Sequence, residues 1–185
     1  MRIDYLPEPM LIIFGGLPGT GKTALARELA RQIGAVNLRI DSIEQAILNS
    51  GLMSPPINEA GYLAAYAIAE DNLRIGRMVV ADSVNSLAVT RDAWLAVAGR
   101  AQVGAVEIEV VCSNAEEHRR RVETRVSDIA GLKLPGWRDV LSREYHAWER
   151  EHIVIDTAGR SVEQNVEAIR MLLDSLKTAG KNPHS

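Results

Sequence analysis

Residues 10–26 read MLIIFGGLPGTGKTALA: an apolar run, a glycine-rich turn, and a lysine and threonine that open a helical pattern. Few folds can use such a stretch. Glycine has no Cβ, so the backbone there can curl tightly and turn its N–H groups inward. Those groups, with the positive end of the following helix, make a cavity for an anion. The spacing is Gly16, four residues, then Gly21, Lys22 and Thr23, which is the phosphate-binding loop pattern. In that pattern the lysine reaches the terminal phosphates and the threonine hydroxyl ligates Mg²⁺. Gly16, Leu17, Pro18, Gly19, Thr20, Gly21, Lys22, Thr23 and Ala24 are the expected nucleotide contacts. The context agrees, because a strand precedes the loop and Leu25, Leu29 and Ile33 recur at helical spacing up to a capping Gly34.

Beyond the loop, apolar runs alternate with helical patterns. MLIIF reads as the first strand and VNLRID as the second; MVVAD, AVEIEVVC and HIVID follow. Their near-continuous apolar character suits strands covered on both faces, as in a parallel sheet. Alternation of strand and helix predicts an α/β fold with right-handed crossovers. Asn114 with Glu117, and Ser161 with Gln164, have the spacing of capping boxes. Two irregular stretches, NSGLMSPPIN and SDIAGLKLPGW, have the length of binding loops or lids. At 185 residues the chain is the size of one domain, with a core over about 9–176 and a flexible tail over 177–185. A net charge of -3 gives no general attraction for nucleic acid or anionic membranes. The N-terminal MRIDYLPEP has acids and prolines where a signal peptide has its apolar core, which predicts a cytoplasmic protein. The single cysteine, Cys112, excludes an intrachain disulfide and reads as a buried thiol at a strand end.

Asp41, Asp82 and Asp156 each end an apolar run. Ligands of open α/β sheets bind at the carboxyl ends of the strands, the edge that also carries the phosphate loop. Asp41 therefore reads as an acceptor-side base, as a helix cap, or as both. Asp82 reads as the acid beside Mg²⁺. Asp156, leading into DTAGRS, reads as structural or as lying on the nucleotide-base side. In DSVNSLAVTRDAW, Asn85 and Arg91 either contact an acceptor at the mouth of the site or, for Arg91, simply follow a Thr90 cap. SNAEEHRRRVETRVSD predicts one amphipathic helix opening a lid over about 114–136, with Val122 and Val126 inward. Its arginines either clamp phosphates, Arg125 and Arg121 foremost, or pair with Glu116 and Glu117 on a solvated face. REYHAWER predicts a helix with Tyr145 and Trp148 packed in the core, and the four histidines show no metal-ligand spacing.

GGLPGTGKTALA, RIDSIE, VVADSVN, VTRDAW, VVCSNAEEHRRRVETR and VIDTAG together resemble the P-loop kinase-like proteins often labelled AAA-type ATPase domains. That group includes chloramphenicol phosphotransferase, zeta-type toxins and polynucleotide-kinase-like domains. The resemblance implies a three-layer fold with a five-stranded parallel sheet in the order 2-3-1-4-5 and a helical lid. It implies ATP and Mg²⁺ held by Lys22 and Thr23, an acceptor hydroxyl deprotonated by Asp41, and phosphates clamped by Arg121 and Arg125. The acceptor it implies is a small-molecule hydroxyl; a 5′-hydroxyl of nucleic acid and a nucleotide switch without an acceptor are the alternatives. No arginine-finger or sensor arrangement of an unfolding motor accompanies these motifs.

Overall fold

The computed structural model describes residues 8–57 and 59–180. Five strands form one all-parallel sheet in the order β2-β3-β1-β4-β5. They are β1 Met10–Gly15, β2 Val36–Arg39, β3 Val79–Asp82, β4 Gly104–Val111 and β5 Ile153–Asp156. Among the described residues seven helices join or follow them: α1 Lys22–Ile33, α2 Ile40–Asn49, α3 Ala60–Arg74, α4 Ala88–Ala101, α5 Ala115–Thr124, α6 Trp137–Leu141 and α7 Val162–Gly180.

Side chains alternate across a strand, and both faces of this sheet are covered. Ile12 and Phe14 of β1 pack with Val80, Ile108, Val110 and the apolar stripes of α1 and α7. Leu11 and Ile13, pointing the other way, pack with Val79, Ala81 and residues of α3 and α4 such as Leu73 and Trp94. The three layers follow from these two clusters. Register brings the functional ends together: Asp82 of β3 lies beside both Phe14 of β1 and Arg39 of β2. No helix among the described residues is long and apolar enough to cross a membrane.

Several local expectations are corrected. β2 stops at Arg39, so Asp41 sits in the first turn of α2 rather than ending a strand. The arginine-rich helix stops at Thr124, and Arg125 is already extended. Val126, past that end, is 90% exposed, whereas Val122 is buried as expected. REYHAWER forms no helix, although its aromatics pack: Tyr145 Oη donates to Glu109 and Trp148 Nε1 donates to Tyr145 Oη. Cys112 is partly rather than fully buried. Of the expected capping boxes, Ser161–Gln164 is complete, while at Asn114 only the side chain to Glu117 N–H bond forms. α7 continues through Gly180, and 181–185 lie outside the described residues.

Candidate active site

The site begins at the β1–α1 turn. Gly16, Gly19 and Gly21 all take positive φ. A Cβ on Gly16 would lie 2.2 Å from the Val110 carbonyl oxygen, and one on Gly19 would lie 2.4 Å from Val122 of α5. Gly16→Ala therefore meets both a disfavoured φ and immovable backbone. It should lower Tm by an amount corresponding to at least about 2 kcal/mol, measured by thermal unfolding of the nucleotide-free protein.

Much of the loop's support comes from residues that local patterning did not single out. His118 Nε2 donates to the Pro18 carbonyl at 2.9 Å, with its ring edge-on to Trp137. Thr157 Oγ1 donates to the Thr20 carbonyl at 2.8 Å. Arg121 donates to Thr157 Oγ1 and to the Thr157 carbonyl, and pairs with Glu117 at 2.6 Å; Glu117 in turn accepts from Gly159 N–H. Arg121 thus stands beside Gly21 with much of its donor capacity spent on β5's trailing loop. Its expected pairing with Glu117 forms. Arg125 differs: one Nη donates to the Pro135 carbonyl, while its buried Nε has no partner. Arg119 is exposed and pairs with Glu123.

Lys22 is 7% exposed and Asp82 is 2% exposed. Burial pulls the Lys22 ammonium below the usual lysine range, while Asp82 and then Asp41 push it back up. Burial likewise raises Asp82 above the usual carboxylate range, and the charge of Lys22 and then the Thr23 hydroxyl oppose that rise. Neither Asp82 oxygen accepts a hydrogen bond of good geometry. A buried carboxylate left this way has room for a cation or a donor. Among the described residues no group of three or more acids, histidines or cysteines could hold a metal without help. Mg²⁺ keeps waters and substrate phosphates in its shell and needs only one or two protein oxygens. Thr23 and Asp82 are the residues that would hold it.

The loop opens into a cavity of about 900 Å³. Lys22 and Thr23 of the loop line it, together with Asp41, Glu44, Tyr62 and Ser83, and with Arg121 and Arg125. Asn85 and Arg91 do not reach it. Asn85 is fully buried at φ 48° and donates to the Phe14 carbonyl at 2.8 Å. Arg91, 2% exposed, donates to the carbonyls of Asn85, His146 and Ala147 and stacks over Trp148. Asn85 thereby ties the β3–α4 turn to β1, and Arg91 ties that turn to the 145–148 segment. Nor does Thr90 cap α4: the helix starts at Ala88, and Thr90 Oγ1 bonds back to the Leu87 carbonyl within its first turn. Asp156 accepts from Ser113 N–H and Ala158 N–H at 3.0 Å each, which joins the loops after β4 and β5.

A family model described as an AAA domain matches residues 11–132. No curated protein matches the chain in sequence. Among solved structures, a protein from Chloroflexus aurantiacus described as a kinase superposes with a TM-score of 0.72 at 21% identity, over 91% of this chain and 97% of that one. The Mycobacterium tuberculosis APS kinase CysC in complex with AMPPNP and APS gives a TM-score of 0.64 at 18% identity, over 91% and 99%. A gluconokinase from Sinorhizobium meliloti gives 0.63 at 17% identity, over 95% and 98%. At such identities the likeness establishes the fold, which is the P-loop kinase one.

Proposed function

The chain belongs to the AAA-domain family, and from that premise we propose that it is a Mg²⁺- and ATP-dependent phosphotransferase acting on a hydroxyl of a small molecule. The observation that carries the reading is the carboxylate of Asp41 on the cavity wall, within electrostatic reach of Lys22. A nucleotide switch needs the loop, the lysine and the metal acid, but no carboxylate on the acceptor side. The APS kinase of this fold, solved in complex with AMPPNP and APS, and the gluconokinase support the same class.

In this reading the loop N–H groups and Lys22 bind the β- and γ-phosphates. Thr23 and Asp82 would hold Mg²⁺, which, when bound, offsets the phosphate charge. Asp41 orients the acceptor hydroxyl and takes its proton as the phosphoryl group moves. Arg125 contributes a charge to the moving phosphoryl group, and Arg121 holds the loop and stands beside it. The test is to follow labelled γ-phosphate from ATP in the presence of small-molecule pools. The label should leave on a small molecule; release only as inorganic phosphate would overturn the reading in favour of an ATPase or switch.

The lid arginines separate in the same assay. Arg125→Ala should lower kcat by about 10²-fold, a loss of the size seen when one donor to developing charge is removed. ADP affinity should change far less, because that charge matters most as the phosphoryl group moves. Arg119→Ala, which removes only an exposed ion pair, should leave both within about twofold. Equal and small effects would assign the whole helix to packing and solvent.

A further inference from the structure

The acceptor side of the cavity is acidic, and its shape depends on one glycine. Asp41 and Glu44 lie one turn apart on α2, and both line the cavity. α3 passes so close that a Cβ on Gly61 would stand 2.3 Å from Glu44 Cγ. Any larger residue at 61 would displace Glu44. Tyr62, the next residue of α3, also lines the cavity, as does Ser83 just after β3. Ser83 is 4% exposed, and its Oγ sits beside the Tyr62 hydroxyl without a hydrogen bond of good geometry. Two adjacent hydroxyls on a cavity wall, with hydrogen-bonding capacity left over, suit a polar ligand group.

Arg39 meets this wall at Asp41 but is shared with a second acid, and no ion pair to Glu44 forms among the described residues. Arg39 is engaged by Asp128 of the lid at 2.7 Å, with Asp41 at 3.9 Å. Arg125 and Arg143 also line the cavity; Arg125 donates to the Pro135 carbonyl and is within electrostatic reach of both Lys22 and Asp41. Burial and the neighbouring Asp41 raise the Glu44 carboxyl above the usual range, as expected for two acids sharing a partly dry corner. An anionic group placed there would add a third negative charge. Hydroxyls or an ammonium would instead donate to the two carboxylates.

We propose that Asp41, Glu44, Tyr62 and Ser83 form the acceptor subsite, and that it selects a hydroxyl-rich acceptor with no anionic group near the reacting hydroxyl. Asp41 takes the reacting hydroxyl, and Glu44 accepts from a second donor on the same molecule. The inference rests on the phosphotransferase reading. It differs from that reading in naming the chemistry of the acceptor and the residues that choose it.

The experiment measures ADP release at saturating ATP with three series: neutral polyols (sorbitol, glucose, ribose), an amino counterpart (glucosamine), and sugar acids (gluconate, glucuronate). Turnover is expected with the first or second series, and the preferred one tells whether the second donor is a hydroxyl or an ammonium. Glu44→Gln should raise KM for the preferred acceptor by about 10- to 100-fold, the scale of a hydrogen bond to a charged group, with a much smaller change in kcat. It should also improve the sugar acids relative to the parent. Gly61→Ala, which displaces Glu44 without altering its charge, should shift KM in the same direction. The rise of Tm with ATP reports that each variant is folded. Preference for sugar acids, an unchanged KM in Glu44→Gln, or turnover of none of the three series by a protein that transfers phosphate to another small molecule overturns the acceptor inference alone. Absence of any ATP-dependent rise in Tm, or of any phosphate transfer, would remove the phosphotransferase reading beneath it.

Discussion

Lys22→Ala is expected to abolish the rise in Tm that ATP and Mg²⁺ produce in the parent protein. A ligand that binds only the folded state at one hundred times its Kd adds ~2.7 kcal/mol. For a chain of this size each kcal/mol corresponds to about 2–4 °C, so the parent should gain about 5–10 °C. Lys22 is nearly enclosed, and burial works against its charge; Asp82 and Asp41 hold that charge in place. Such an ammonium is already desolvated and aimed, so binding phosphate costs it little further hydration. Its removal also leaves Asp82 buried without its largest favourable charge, and the nucleotide-free Tm should fall as well. The diagnostic quantity is therefore the difference with and without ATP, measured on each protein separately. A variant that starts lower and still gains the parental shift would show that the phosphates bind elsewhere.

How much of this site could be read along the chain depends on how local its physics is. The loop, its strand and its helix are specified within residues 10–34, by glycine conformation and side-chain periodicity, and they form as read. Asp82 was legible because a strand that ends beside β1 must deliver its last residue to the loop. Asp41 was legible in position but not in setting. The expectation ran β2 through Ile40, an apolar residue that continues the run, to end at Asp41, yet Ile40 is buried as the first residue of α2. Asn85 and Arg91 misled because their partners lie far along the chain: Arg91 is buried by the carbonyls of His146 and Ala147, which no local pattern around residue 91 reveals. Arg125 looked like the next turn of α5 by spacing alone. The chain leaves the helix there, and the guanidinium turns to the Pro135 carbonyl. His118 and Thr157, which brace the loop, and Glu44 and Tyr62, which shape the acceptor wall, act across helix contacts that only the packed fold creates.

Asp41→Asn is expected to cut acceptor phosphorylation by about 10² to 10⁴-fold, the usual contribution of a positioned base, while leaving ATP binding and folding nearly unchanged. The two roles open to Asp41 differ in what they predict. As a stabiliser of α2 it acts from the first turn, where a negative charge suits the helix N-terminus by about 0.3–1 kcal/mol. Its contact with Arg39 spans 3.9 Å and is partly exposed, so that pair adds at most about 1 kcal/mol. Arg39 holds the N-cap position and makes no side-chain capping bond, so α2 has no stronger cap whose loss could be mistaken for a catalytic effect. Asparagine keeps the shape and the hydrogen-bonding oxygen but cannot take a proton. A stabilising role alone therefore predicts a Tm lower by a few degrees and near-parental turnover. A base predicts the reverse: Tm and the ATP-dependent shift close to parental, with kcat reduced by orders of magnitude. Measuring Tm, ATP-dependent shift and label transfer on this one variant separates the two. Near-parental transfer would remove Asp41 from the chemistry and leave the cavity wall with a binding role only.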